Sequence, residues 1–257
     1  MLALEHIFLT YNPGTVREMG LFHDFSLSVP KGQYLSVVGS NGSGKTSMLN
    51  LLCGSLLPDK GRVLMEGADI TTHSEHLRAQ HIGRIHQNPA MGSCGEMSIL
   101  ENLALADCKK RRMNLLPAVD KKQIPRYREM LAPLGLGLEN MLETKAGSLS
   151  GGQRQALALV MAVMSPISCL ILDEHTASLD PKTADTIMHL TDQIIHEKGI
   201  TALMVTHNLR YAIDFGNRLI MMHQGQVVLD KVGEDKQKTR LEDVLGIFNE
   251  ISVECGN

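Results

Sequence analysis

The chain has 257 residues, 43% hydrophobic and 21% charged, with a net charge of −3. That length suits one large domain or two closely joined lobes, and the slightly acidic balance (pI near 6.4) gives no electrostatic footprint for nucleic acid or a polybasic membrane anchor. The longest apolar run, Ala156 to Met164, is nine residues, too short to span a bilayer.

Residues 1–10 alternate and carry Glu5 and His6, so they open a strand over 2–11 rather than a leader peptide. Strands are also expected over 25–29, 34–38 and 62–66, with Pro58-Asp59-Lys60-Gly61 as punctuation. A helix-like run covers 47–53. From about 88 to 166 the texture is helical, with start signals at Ser98…Glu101 and Ser150…Gln153, both of the capping-box type. Within it, Lys109-Lys110-Arg111-Arg112 reads as a solvated face. An apolar strand is expected over 169–172, and Asp180-Pro181 starts a helix ending near Gly199. Beyond it come a buried strand over 200–206, a short helix ending at Gly216, and a hairpin of 218–222 and 226–229 turning at Gln224-Gly225. Thr239…Glu242 starts a last helix. Apolar strands alternating with amphipathic helices predict an α/β fold with a mostly parallel core sheet covered on both faces, interrupted by a helical lobe.

Five scattered cysteines, at 53, 94, 108, 169 and 254, form no CxxC pair and suit a reducing compartment; Cys53 and Cys169 read as core residues. His73, His76, His81 and His86 fall close together with Glu75 as the one acid among them. They read as surface and core histidines rather than a zinc set.

Three segments carry chemistry. Gly39, Ser40, Asn41, Gly42, Ser43, Gly44, Lys45 and Thr46 fit G-x-x-x-x-G-K-[ST] between a strand and a helix. Such a loop turns backbone N–H groups on a polyphosphate, with Lys45 reaching the terminal phosphates and the Thr46 hydroxyl available to Mg²⁺. The apolar strand at 169–172 ends in Asp173 and Glu174, a position from which one acid can hold hydrated Mg²⁺ and the next can activate water. Leu149-Ser150-Gly151-Gly152-Gln153 places a hydroxyl and exposed backbone at a helix start, a second anion site.

In this order the three segments resemble the ATP-binding subunit of an ABC (ATP-binding cassette) transporter, over essentially the whole chain. The resemblance implies a P-loop NTPase fold with an antiparallel β portion and an inserted helical lobe. Its core lobe would cover about 1–87 and 167–257, and the helical lobe about 88–166. It implies ATP and Mg²⁺ as cofactors, with Ser47 joining residues 39–46 around the nucleotide and Tyr11 stacking on adenine. Gln87 matches the glutamine that touches Mg²⁺ and the attacking water, and Glu174 the general base. His207 matches the histidine on the γ-phosphate, and Ser178-Leu179-Asp180 the loop crossing a dimer interface. Thr46, Gln87 and Asp173 would be the metal ligands. Ser150, Gly151, Gly152 and Gln153 would cover the nucleotide of a second copy in a head-to-tail, two-fold dimer.

The partners implied are that second copy, integral membrane permease subunits and, in the bacterial subgroup it looks like, a substrate-binding protein; nucleic acid is not among them. Some members of this subgroup are linked to aromatic amino acid uptake. The implied location is cytoplasmic, peripheral on the inner face of the cell membrane. His175 stands where many members carry proline; the variant that looks closest also has histidine there, so it does not signal lost activity. The alternative is a soluble ABC-type ATPase in DNA repair, chromosome structure or on ribosomes. Only 102 residues lie between Thr46 and Leu149, without heptads for a long coiled coil, and one cassette is present rather than two. A P-loop kinase or GTPase leaves Leu149–Gln153 without purpose.

Overall fold

A computed structural model of the protein describes residues 1–108 and 119–254; the basic run Lys109–Arg112 lies outside them. The chain opens with strands β1 (Leu2–Tyr11), β2 (Met19–Val29) and β3 (Tyr34–Gly39), then helix α1 (Lys45–Cys53). Strands β4 (Lys60–Met65) and β5 (Ala68–Asp69), helix α2 (Glu75–Arg78) and strand β6 (Ile82–Ile85) follow. Next come helices α3 (Ile99–Asp107), α4 (Ile124–Leu131) and α5 (Gly151–Val163), with strand β7 (Cys169–Asp173) and helix α6 (Pro181–Lys198) after them. The rest is β8 (Thr201–Val205), α7 (Leu209–Asp214), the strands β9 (Arg218–His223) and β10 (Gln226–Val232), α8 (Glu234–Gln237) and α9 (Leu241–Glu254). Among the described residues no helix is long and apolar enough to cross a membrane.

Two compact units form, one of Met1–Ala79 with Gly199–Asn257 and the other of Gln80–Lys198. The first holds an antiparallel sheet in the order β2-β1-β4-β5, and the run β10-β9-β3-β8 in which β3 lies parallel to both β8 and β9. Every residue of β3 and β8 is buried, so these strands read as continuous apolar runs rather than alternating ones. The β9–β10 turn puts Gln224 and Gly225 at φ 43° and 74°, the left-handed pair that a tight hairpin needs. In the second unit β6 pairs in parallel with β7, and α3, α4 and α5 enclose a core around Leu103, Tyr127, Leu131, Leu138 and Leu157. Each such leucine removed from water contributes about 1.5–3 kcal/mol.

By compactness the chain divides at 79/80 and 198/199. The reason is local: β6 pairs with β7, which carries both strands with the helices. Some expected element starts shift. Strand β2 begins at Met19 rather than 25, since a left-handed Asp24 (φ 66°) lets polar His23 and Asp24 sit in it as an irregularity between Ile7↔Phe25 and Leu9↔Phe22. The last helix begins at Leu241, not after Thr239. The Thr239 hydroxyl donates to the Asp235 carbonyl (2.7 Å), and the Arg240 N–H instead donates to the Asp243 carboxylate (2.9 Å).

Candidate functional site

In the first unit the glycine loop leaves the carboxyl end of β3 and enters α1. A Cβ on Gly39 would lie 2.3 Å from the Met222 carbonyl oxygen, so only glycine lets β3 meet β9 there. Gly44, at φ 104°, heads α1 in a conformation that L side chains rarely adopt. Lys45 is buried, and its ammonium donates to the carbonyls of Gly39 (2.7 Å) and Ser40 (2.8 Å) and to Ser43 Oγ (3.4 Å). The cation is therefore held inside the loop by carbonyl and hydroxyl oxygens rather than by bulk water. Asn41, Gly42 and Thr46 are exposed at the rim. Tyr11 ends β1 half-buried, with its hydroxyl 3.0 Å from Ser47 Oγ in the first turn of α1. Exposed His207 follows β8, whose Val205 is in register with Val37 of β3, so the histidine leaves the same strand end as the loop. Asn208 caps α7 just beyond it.

The second unit repeats this logic with a parallel pair. Ile85 is in register with Leu172, so Gln87 and the Asp173-Glu174 pair emerge from one end. Asp173 accepts from Arg84 Nη2 at 2.7 Å, both side chains being about five-sixths buried (16% and 17% exposed). An open cleft of about 390 Å³ is lined by His86, Gln87, Asn88, Met91, Asp173 and Ser178, and Ser178 Oγ donates to the Gln87 carbonyl (2.9 Å). Glu174 adopts a left-handed conformation, φ 48°, which costs a non-glycine residue about 1–2 kcal/mol. Its carbonyl accepts from Ala177 N–H at 2.9 Å.

The next residue, His175, is buried, and its Nε2 lies 3.3 Å from Thr191 Oγ1. That hydroxyl already donates to the Ile187 carbonyl (2.7 Å), so the imidazole N–H is the donor. Burial pushes its pKa down from 6.5 to about 4.

The serine-led helix start forms as its spacing predicts. Ser150 Oγ accepts from Gln153 N–H (3.2 Å) and Gln153 Oε1 accepts from Ser150 N–H (3.1 Å). Gln153 also donates to the Leu136 carbonyl (3.2 Å), which fixes the helix start against the preceding loop. Ser150 and Gly151 are exposed while Gly152 is buried. Asp180 heads α6, accepting from Thr183 N–H (3.1 Å). Bonds from Thr183, its hydroxyl foremost, hold its carboxyl below the usual range.

Oxygen donors of the kind Mg²⁺ prefers, the hydroxyl of Thr46, the amide of Gln87 and the carboxylate of Asp173, are thus present, and the cradle tolerates no added Cβ at Gly39. Taken separately, the glycine loop of the first unit fits a polyphosphate, and the oxygen donors of each unit suit hydrated Mg²⁺. Sequence reasoning missed Arg84 as the partner of Asp173, and Gln155, whose buried amide reaches His86 and His175. No local pattern marks either one, because their partners lie 20 to 89 positions away.

A sequence model described as ABC transporter matches residues 22–177. The tyrosine transport ATP-binding protein of Clostridioides difficile is 40% identical over 228 residues, covering 89% of this chain and 90% of that protein. The probable branched-chain amino acid transport ATP-binding protein LivG of Methanocaldococcus jannaschii is 33% identical over 224 residues, covering 85% and 86%. Among solved structures, the ADP conformation of MJ1267, an ATP-binding cassette of an ABC transporter, superposes with a TM-score of 0.81 at 26% identity. That match covers 100% of this chain and 99% of the other. The dimeric post-hydrolysis state of the cassette MJ0796, bound to ADP and Pi, gives 0.75 at 28% identity, covering 90% and 98%.

Proposed function

This chain belongs to the ABC transporter family as an ATP-binding, ATP-hydrolysing subunit, and we propose that it works as one half of a two-fold dimer that closes over two ATP molecules. The observation that carries the reading is the buried Lys45 ammonium inside a glycine loop at the end of a parallel strand, within a chain matched to the family over 22–177. The soluble DNA-repair or ribosomal alternative is set aside, since the relatives named above act in transport.

In this reading the N–H groups of Gly39 to Thr46, with Lys45 and Ser47, hold the phosphates, and Tyr11 stacks on adenine. Ser150, Gly151, Gly152 and Gln153 of the second copy cover the γ-phosphate, with Asp180 in the loop across the interface. Glu174 accepts a proton from water as its oxygen bonds to the γ-phosphorus and the bond to the β–γ bridging oxygen breaks. Gln87 and His207 position the reactants. Thr46, Gln87 and Asp173 would hold Mg²⁺, which when bound neutralises charge on the phosphates.

Loss of the γ-phosphate removes the differential contact that favours the closed dimer. The helical lobe, about 88–166, and the segment 88–93 pass that change to separate permease subunits on the cytoplasmic side of a membrane. The tyrosine transport relative supports an aromatic amino acid as the cargo; in this reading the complex imports it and works with a substrate-binding protein. Glu174→Gln should abolish turnover, by at least about a thousand-fold, and leave an ATP-stabilised dimer by size-exclusion chromatography. A mutant that stays monomeric in saturating ATP-Mg²⁺ would falsify the sandwich.

A further inference from the structure

Helix α5 carries more than its serine-led start. Five residues beyond Ser150, about 7.5 Å along the axis, Gln155 is 1% exposed. Its amide nitrogen donates to two carbonyls, that of His86 (3.1 Å) and that of His175 (2.7 Å). One of these carbonyls belongs to the peptide unit that enters Gln87; the other belongs to His175–Thr176, one residue past Glu174. Carbonyls only accept, so the amide orientation is fixed by its partners. Its oxygen is buried with no partner among the described residues.

A buried amide left half-satisfied is a poor brace. An apolar side chain of similar length would fill the same space without an orphaned acceptor. What Met or Leu could not do is fix two peptide planes at once. Both need fixing: the bonded His175 directly follows Glu174, whose left-handed backbone persists only where surrounding contacts over-determine it, and Gln87 starts an exposed turn. The same helix reaches the far side of that turn through Arg154, which donates to Ser93 Oγ (2.8 Å) and to the Ser93 carbonyl (3.1 Å).

We propose that Gln155 is a positioning residue for hydrolysis, tying the helix that starts at Ser150 to the peptide unit that enters Gln87 and to His175, the residue directly after Glu174. Any displacement of the α5 start then moves both groups together, so water is activated only when that start is correctly seated. The inference rests on Gln87 and Glu174 acting in hydrolysis, and adds the element that sets their geometry.

The test compares Gln155→Met, which keeps length and loses both donors, with Gln155→Asn, which keeps the amide one methylene short of either carbonyl. For each, kcat and KM for ATP are measured together with the Kd of a fluorescent ATP analogue and the melting temperature. Expected is a fall in kcat of about ten-fold or more, with Kd changed less than about two-fold. The ATP-dependent dimer should persist when Gln155→Met is combined with Glu174→Gln. A kcat per nucleotide-binding molecule that stays at the wild-type value in both variants overturns the proposal, whatever happens to the melting temperature. Wild-type turnover in Glu174→Gln alone would instead sink the underlying site reading.

Discussion

Glu174 and His175 stand side by side and ask opposite things of the fold. Glu174 is half-exposed in a left-handed conformation that L residues avoid, while His175 is buried on the Thr191 hydroxyl and holds the chain just after it. Because the buried imidazole has its pKa lowered to about 4, the unfolded chain binds a proton below pH 6.5 that the folded chain refuses. Above pH 6.5 the residue adds no pH dependence. As pH falls from there to about 4 it withdraws stability, up to about 3 kcal/mol. Urea unfolding of His175→Gln across that window should show a shallower loss than the wild-type chain. Parallel curves would mean that the histidine does not titrate on unfolding. Nearby, the partly buried Asp173 carboxylate lies 2.7 Å from the Arg84 guanidinium, at the rim of an open cleft.

Elements report how far the chain can be read without its structure. Three of the expected helix starts carry the S/T-x-x-E/Q spacing, and two of them, at Ser98 and Ser150, form reciprocal boxes. Thr239 does not, because the preceding short helix α8 offers its hydroxyl a closer acceptor in the Asp235 carbonyl. The glycine loop, the acid-ended strand and the serine-led helix were legible since each depends on neighbours in sequence. Strand β6 was not, being four residues with Gly83 and Arg84 in the middle. Its assignment comes from pairing with β7, some ninety positions on. Gln155 was illegible for the same reason. The two boxes also allow a controlled comparison. Ser98→Ala and Ser150→Ala should each lower stability by about 1 kcal/mol in urea titration, but only Ser150→Ala should weaken the ATP-dependent dimer on size exclusion. Equal weakening by both would remove Ser150 from the nucleotide contacts.

At the scale of the whole molecule, nucleotide binding and folding are linked. ATP-Mg²⁺ at about a hundred times its Kd should raise unfolding free energy by about 2.7 kcal/mol, read as a higher melting temperature. Lys45→Ala should abolish that rise, since no other buried ammonium lies inside the loop among the described residues. A rise equal to wild type would move the nucleotide elsewhere.

Arg78 extends the point to a residue remote in sequence from the loop. Its guanidinium, 1% exposed, donates to the carbonyls of Leu51 and Leu52, at the last turn of α1, and of Thr71 and His73. A cation placed there answers the negative pole of the helix whose positive pole carries the glycine loop. The loop is thus backed by an abutment at the opposite end of the same rod.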